Sequence, residues 1–192
     1  MKKLLGIVVL GLLLITPSQA DDIRDFEIEG MSIGDSLLDY FSEKEINDNI
    51  EKSYTQHIKK EPGKFLIVEF RGISRIKIYD ALQFAIKKND KNYKIYMVKG
   101  MIAFTENISE CYKKQVEIDN ELSELFNNLK REVTKKKHPI DESGKSIVVS
   151  INYWFPTEDL IEIDCFDWSE EIGHIDHLRI GAKTKEINKW LP

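Results

Sequence analysis

The chain has 192 residues, with 28 Lys and Arg set against 33 Asp and Glu, for a net charge of −5. That balance, with no basic tract on the scale of a nucleic-acid arm, argues against a nucleic-acid partner. At 42% hydrophobic and 10% aromatic the chain is expected to bury a core, and two cysteines are too few for a disulfide-dense scaffold or a four-cysteine zinc site.

The first 20 residues carry a targeting pattern. Met1-Lys2-Lys3 is a positive start, Leu4 to Ile15 is an unbroken apolar or glycine run, and Ser18 and Ala20 put small residues at a cleavage site. Twelve apolar residues fall short of the roughly 20 a membrane-spanning helix needs. Residues 1–20 are therefore expected to be a signal peptide cleaved after Ala20, and 21–192 a single α+β domain of 172 residues. The leader holds two lysines and no acid, so the charge of the remainder becomes −7. The residue immediately after the cleavage site is Asp21, not a lipidatable cysteine, and no later stretch has spanning length, so no transmembrane segment is expected in the mature chain. Lys outnumbers Arg 23 to 5 and Ile alone supplies 26 residues, a bias that fits AT-rich coding and a bacterial, periplasmic or secreted address.

The short run Phe26-Glu27-Ile28 reads as a brief strand followed by a turn at Gly30. Asp35 or Ser36 can cap a short helix through Phe41, and Ser42 with Glu45 makes a capping box for a second helix that ends near Lys52. Phe65 to Phe70 is a β-rich run. Ile78 to Ile86, with Leu82, Phe84 and Ile86 on one face, and Tyr93 to Phe104, with Val98, Ile102 and Phe104 on one face, form an expected antiparallel hairpin. Asn107 to Lys137 reads as one long helix: Asn107 and Glu110 mark its start, and Ile118, Leu122, Leu125, Leu129 and Val133 recur at helical spacing. Lys135 to Lys137 would complement its C-terminus. Ile147 to Phe155 and Leu160 to Trp168 alternate as strands, the second with Ile161, Ile163 and Cys165 on one face. Ile175 to Ala182 completes the strands, and Thr184 caps a closing helix through Trp190. The fold expected is a mainly antiparallel, twisted sheet of about five to seven strands with one long helix on one face and short N-terminal and C-terminal helices.

Cys111 lies on the apolar stripe of the long helix and Cys165 on the apolar face of a late strand. Helix packed on sheet brings those faces together, and an exported address favours oxidation, so a Cys111–Cys165 disulfide is expected.

Gly34-Asp35-Ser36-Leu37 resembles the nucleophile block of the GDSL esterase family, which would make Ser36 a nucleophile. The family's other blocks are missing: Asn89-Asp90 lacks the glycine two residues before the asparagine, and none of the four histidines has an aspartate three residues before it. The wider segment Phe26 to Ser42, FEIEGMSIGDSLLDYFS, resembles the opening of a group of exported bacterial proteins with no known activity. A shorter likeness, over about ten residues, is to the opening of the small lipoprotein of the outer-membrane β-barrel assembly machinery, without its lipidated cysteine.

His174 and Asp176, with His177 and a run of seven acids from Glu158 to Glu171, suggest a divalent-cation site. The weightier reading of the acids is a solvated edge. Trp154 and Trp168 fall opposite the core stripe and mark a candidate binding surface. No catalytic set is coherent and no cofactor motif is present. The sequence is thus read as a non-enzymatic periplasmic binding or interaction protein, its partner an envelope protein or a small ligand. A Ser36 hydrolase and a cation-binding protein are the alternatives.

Overall fold

The computed structural model describes residues 22–50 and 63–191. The expected signal peptide, Met1 to Ala20, and the expected end of the second helix near Lys52 lie outside them.

The N-terminal segment is a chain of short, locally determined pieces. After a 3-10 turn at Ile23–Asp25, β1 (Glu27–Ile28) pairs with β2 (Met31–Ser32). Glu29 and Gly30 between them have φ of 52° and 76°. Two successive positive φ values make the primed turn whose twist matches its strands, and Gly30 adopts its half without strain. Ser36 caps a second 3-10 turn at Leu37–Asp39, shorter than the helix expected there. Ser42 and Glu45 close their capping box at α1 (Glu43–Asp48).

Seven strands then build one antiparallel sheet: β3 (Phe65–Arg71), β4 (Ala81–Lys87), β5 (Ile95–Ala103), β6 (Lys130–Lys137), β7 (Ile147–Trp154), β8 (Leu160–Asp167) and β9 (His177–Lys183). Their order is β3-β4-β5-β9-β8-β7-β6. The chain lays down one half as β3 to β5 and crosses the sheet through α2 (Ile108–Leu125). It then starts the other half from the far edge, so β9 closes the middle against β5. The closing helix α3 (Lys185–Trp190) follows, capped by Thr184 as expected. No helix among the described residues is long and apolar enough to cross a membrane.

The period-2 rule assigns the two faces of the sheet. On the helix face, Ile161, Ile163 and Cys165 of β8 and Leu178, Ile180 and Ala182 of β9 pack with Cys111, Ile118 and Leu122 of α2. The N-terminal segment covers the other half of that face, where Phe41 stacks on Phe70 at 3.9 Å between ring centres. Cys111 and Cys165, both fully buried, form the expected disulfide with a Cα–Cα distance of 6.0 Å. On the outer face, a smaller cluster of Phe65, Ile67, Ala85 and Met97 lies under Ile187 and Trp190 of α3.

One expected element splits. The long helix ends at Leu125, and Lys130 to Lys137 is a strand. Leu129 and Val133 continue the helical spacing, and Lys, Arg and Glu are good helix formers, so local pattern favours more helix. Tertiary pairing overrides it. All eight residues of β6 find partners on β7, from Lys130↔Trp154 to Lys137↔Ile147. Arg131 on β6 also grips Asp119 of α2 with two hydrogen bonds of 2.8 and 2.7 Å, and the Tyr153 hydroxyl donates to the same carboxylate at 2.6 Å. The Arg131 hydrogen bonds hold the Asp119 carboxyl below the usual carboxylate range, and burial opposes them. Phe126, buried at the helix end, and Leu129, half-buried against the core, turn the chain between the two elements. Val133 is 53% exposed and the Lys135 to Lys137 run tips an edge strand instead of a helix.

Candidate binding groove

The outer face carries a row of side chains across the sheet in register: Glu69, Gln83, Lys99, Gly181, Glu162, Asn152 and Glu132. Gly181 sits at its centre for a steric reason. A Cβ there would lie 2.3 Å from the Val98 carbonyl oxygen and 2.5 Å from Lys99 Cγ. Only glycine leaves β5 and β9 this close while the Lys99 side chain crosses the strand. Lys99 Nζ reaches Glu162 Oε1 on the far side, and Lys183 Nζ lies 2.7 Å from Glu162 Oε2. Gln83 extends the row by donating to Glu69 Oε2 at 3.0 Å, and Trp154 Nε1 donates to Glu132 Oε2 at 3.0 Å at the other end.

These charges are buried. Glu162 is 6% and Asp164 7% exposed. Burial alone would raise the Glu162 carboxyl, but the two flanking ammonium groups outweigh it and hold the group ionised, below the usual range. Asp164 goes the other way. Burial first, then the neighbouring Glu162 charge, push it up to about 6, with the Ser150 hydroxyl bond acting against them. The acidic run from Glu158 to Glu171 is therefore not one solvated edge. Glu162 and Asp164 lie on an interior strand, while Glu158 and Glu171 sit on turns and pair with Lys185 and Lys145.

Between β6, β8 and α3 the outer face opens into a groove of about 320 Å³. Glu162, Asp164, Ser150 and Asn152 line it together with Thr134 and Lys136 of β6, Trp154, Lys183 and Asn188. The half-exposed Trp154 thus presents an indole among fixed carboxylate, amide, hydroxyl and ammonium groups. Such a mixed lining can hold a polar ligand or a segment of a partner, with orientation set by groups that do not have to reorganise.

The expected binding pair does not form one surface. Trp154 pairs with Leu160 at the start of β8, whereas Trp168 follows its end, so the two stand at opposite ends of that strand. Trp168 belongs to a second cluster. Its ring lies 4.4 Å from His138, 4.8 Å from His174 edge-on, and 5.9 Å from Phe166, and His177 stacks on Phe166 at 4.6 Å. His177 Nδ1 donates to the Ile175 carbonyl at 2.8 Å, and burial, reinforced by the Arg179 charge, pushes the imidazole down to about 4.

The last strand was expected to begin at Ile175 and so to include Asp176, but β9 begins at His177, and His174 and Asp176 both lie in the loop before it. The Asp176 carboxylate accepts from the Trp168 backbone at 2.7 Å. No group of three or more His, Cys, Asp or Glu side chains among the described residues is placed to hold a metal ion. Ser36 serves its turn: its hydroxyl donates to the Asn92 carbonyl at 2.7 Å and accepts from the Leu38 amide at 3.2 Å.

Sequence reasoning did not single out Lys99, Gly181 or Lys183, or the groove position of Asp164. The alternation that puts Ile161, Ile163 and Cys165 on one face of β8 also puts Glu162 and Asp164 on the other. Neighbours distant in sequence decide that this second face is buried. No protein-family model matches the chain, and no match to a curated protein or a solved structure was found.

Proposed function

We propose that this chain is an exported, non-enzymatic binding protein, and that the groove on the outer sheet face is where it takes its partner, an envelope protein or a small ligand. One observation carries the reading. Glu162 and Asp164 are held, nearly fully buried, at an open groove with a tryptophan in its wall. Ionised groups are costly to take out of water, and a fold that needed only stability would gain as much from apolar residues there. Fixing them beside an accessible groove is how binding sites keep polar groups oriented. The export half of the proposal rests on the leader pattern of Met1 to Ala20, and a disulfide joining Cys111 to Cys165 suits an oxidising compartment.

A photo-reactive phenylalanine analogue placed at Trp154, with a second one at the exposed Lys113 of α2 as control, tests the reading in cell-envelope extract. The expected result is a discrete adduct from position 154 that position 113 does not give. Identical adduct patterns from both positions, or none from position 154, would overturn it.

A further inference from the structure

β6 is the outer edge strand of the sheet and also one wall of the groove, through Thr134 and Lys136. Its inner side is fully used. His138, just past the strand, donates its backbone N–H to the Ser146 carbonyl at 2.9 Å, which fixes the alternation. In an antiparallel pair, residues alternate between facing the partner and facing away. Stepping back from His138, the even-numbered residues of β6 turn their N–H and C=O toward β7. The backbone groups of Arg131, Val133, Lys135 and Lys137 point outward. Among the described residues no strand pairs with that side, which leaves four donors and four acceptors in a row along it.

The same strand concentrates charge. Its eight residues, KREVTKKK, hold five cations and one carboxylate, in a chain of net charge −5. Six lysines elsewhere on the surface, Lys44, Lys113, Lys114, Lys145, Lys185 and Lys189, each sit on a carboxylate. Among the described residues Lys130, Lys135, Lys136 and Lys137 form no ion pair, and all four are exposed. Val133, exposed at the middle of the strand, adds an apolar contact between them.

We infer that the outer edge of β6 docks an extended acidic segment of a partner protein, which adds as an eighth strand and sets its carboxylates against Lys135, Lys136 and Lys137. The inference rests on the binding reading above and names the partner's chemistry. Backbone pairing supplies the fit of an added strand, and side chains on alternate positions supply selectivity. Lysines on an edge strand also explain what does not dock. A second copy pairing β6 to β6 would set lysine against lysine, and like charges across a pair are repulsive. The charge that blocks self-pairing selects a strand of opposite sign. An anionic membrane surface would answer the lysines but not the row of backbone groups.

A displayed library of decapeptides with Asp or Glu at alternate positions, run beside the same library with Lys or Arg, tests the inference on the mature chain. The expected result is enrichment of acidic clones only. Val133→Pro removes one outward N–H and no bond to β7, and should weaken an enriched clone at least tenfold. The double variant K135E/K137E, which leaves the backbone intact, should do the same, and a thermal melt of each confirms the fold. Failure of the acidic library to enrich would overturn the inference. So would clones that bind Val133→Pro as well as the parent, since charge alone would then hold them. Binding to phosphatidylglycerol vesicles with no enriched peptide would assign the edge to a membrane surface instead. A position-154 adduct without any acidic clone would leave the groove reading standing and sink only the acidic strand.

Discussion

Leu178, Ile180 and Ala182 of β9 face α2, while His177, Arg179 and Lys183 of the same strand face the other way. The two faces of one sheet are thus organised by different forces. The helix face is a mainly apolar core, closed by a disulfide and by α2, with the Asp119–Arg131 pair at its β6 end. Outside the small apolar cluster under α3 and the ring cluster of Phe166, Trp168, His138 and His177, the outer face is held by hydrogen-bonded charge: Lys99 across Gly181 to Glu162, Lys183 to the same carboxylate, and Asp141 gathering Ser143, Ser146 and Ser169 at the end of the sheet. An apolar face is insensitive to pH and tolerant of its partner. A face of buried charge responds to pH, loses much when one member is removed, and presents directional groups to a ligand. The groove lies on the second kind of face.

The largest expected effect is on that charged face. Glu162→Gln leaves Lys99 and Lys183 against a neutral amide. Loss of one member of a buried ion pair costs about 3–5 kcal/mol, and a urea denaturation midpoint should fall accordingly. A change under about 1 kcal/mol would mean that water screens the group and that the contrast between the faces is weaker than drawn.

Removal of the bridge tests the apolar face. The Cys111–Cys165 link closes a loop of 54 residues, worth about 4 kcal/mol in the chain-entropy account. Cys111→Ser with Cys165→Ser should lower Tm by roughly 8–16 °C at about 2–4 °C per kcal/mol for a domain of this size, and reduction of the parent should give the same shift.

The smallest effect is a pH dependence. The Asp164 carboxyl is raised in the folded state, so it binds a proton more readily there than in the unfolded chain. Its contribution is complete at acid pH and is lost as pH rises through about 6. The His177 imidazole is depressed, so its contribution is present at neutral pH and lost as pH falls toward about 4. The two oppose each other across the same window. Asp164→Asn removes one of them, and the variant should gain roughly 1–3 kcal/mol relative to the parent between pH 4 and pH 7.5. Parallel stability curves for the two proteins would contradict the burial of Asp164.

What the sequence made legible was local or periodic. The Ser42–Glu45 capping box, the Thr184 cap, the alternation of β7 and β8 and the meeting of Cys111 with Cys165 all follow from spacing within a few residues or from two apolar faces that have to touch. The missed features depend on register between distant segments. β6 has a helical period through Val133 and becomes a strand because β7 is there to pair with it. Glu162 and Asp164 look like surface acids until Lys99, 63 positions before Glu162 in the chain, is brought across Gly181 by the β5–β9 pairing. Ser36 and the His174–Asp176 loop show the converse: a motif-like string whose observed bonds are those of a cap and a turn.

Amide hydrogen exchange along β6, read residue by residue by NMR, tests the central claim most directly, that the free edge beside the groove is a docking surface. In the free protein the amides of Arg131, Val133, Lys135 and Lys137 should exchange fast and those of Glu132, Thr134 and Lys136 slowly. Addition of a bound acidic peptide should slow the first set and leave the second unchanged. Equal protection along the strand in the free protein, or protection on binding that appears elsewhere and leaves these four amides fast, would contradict it.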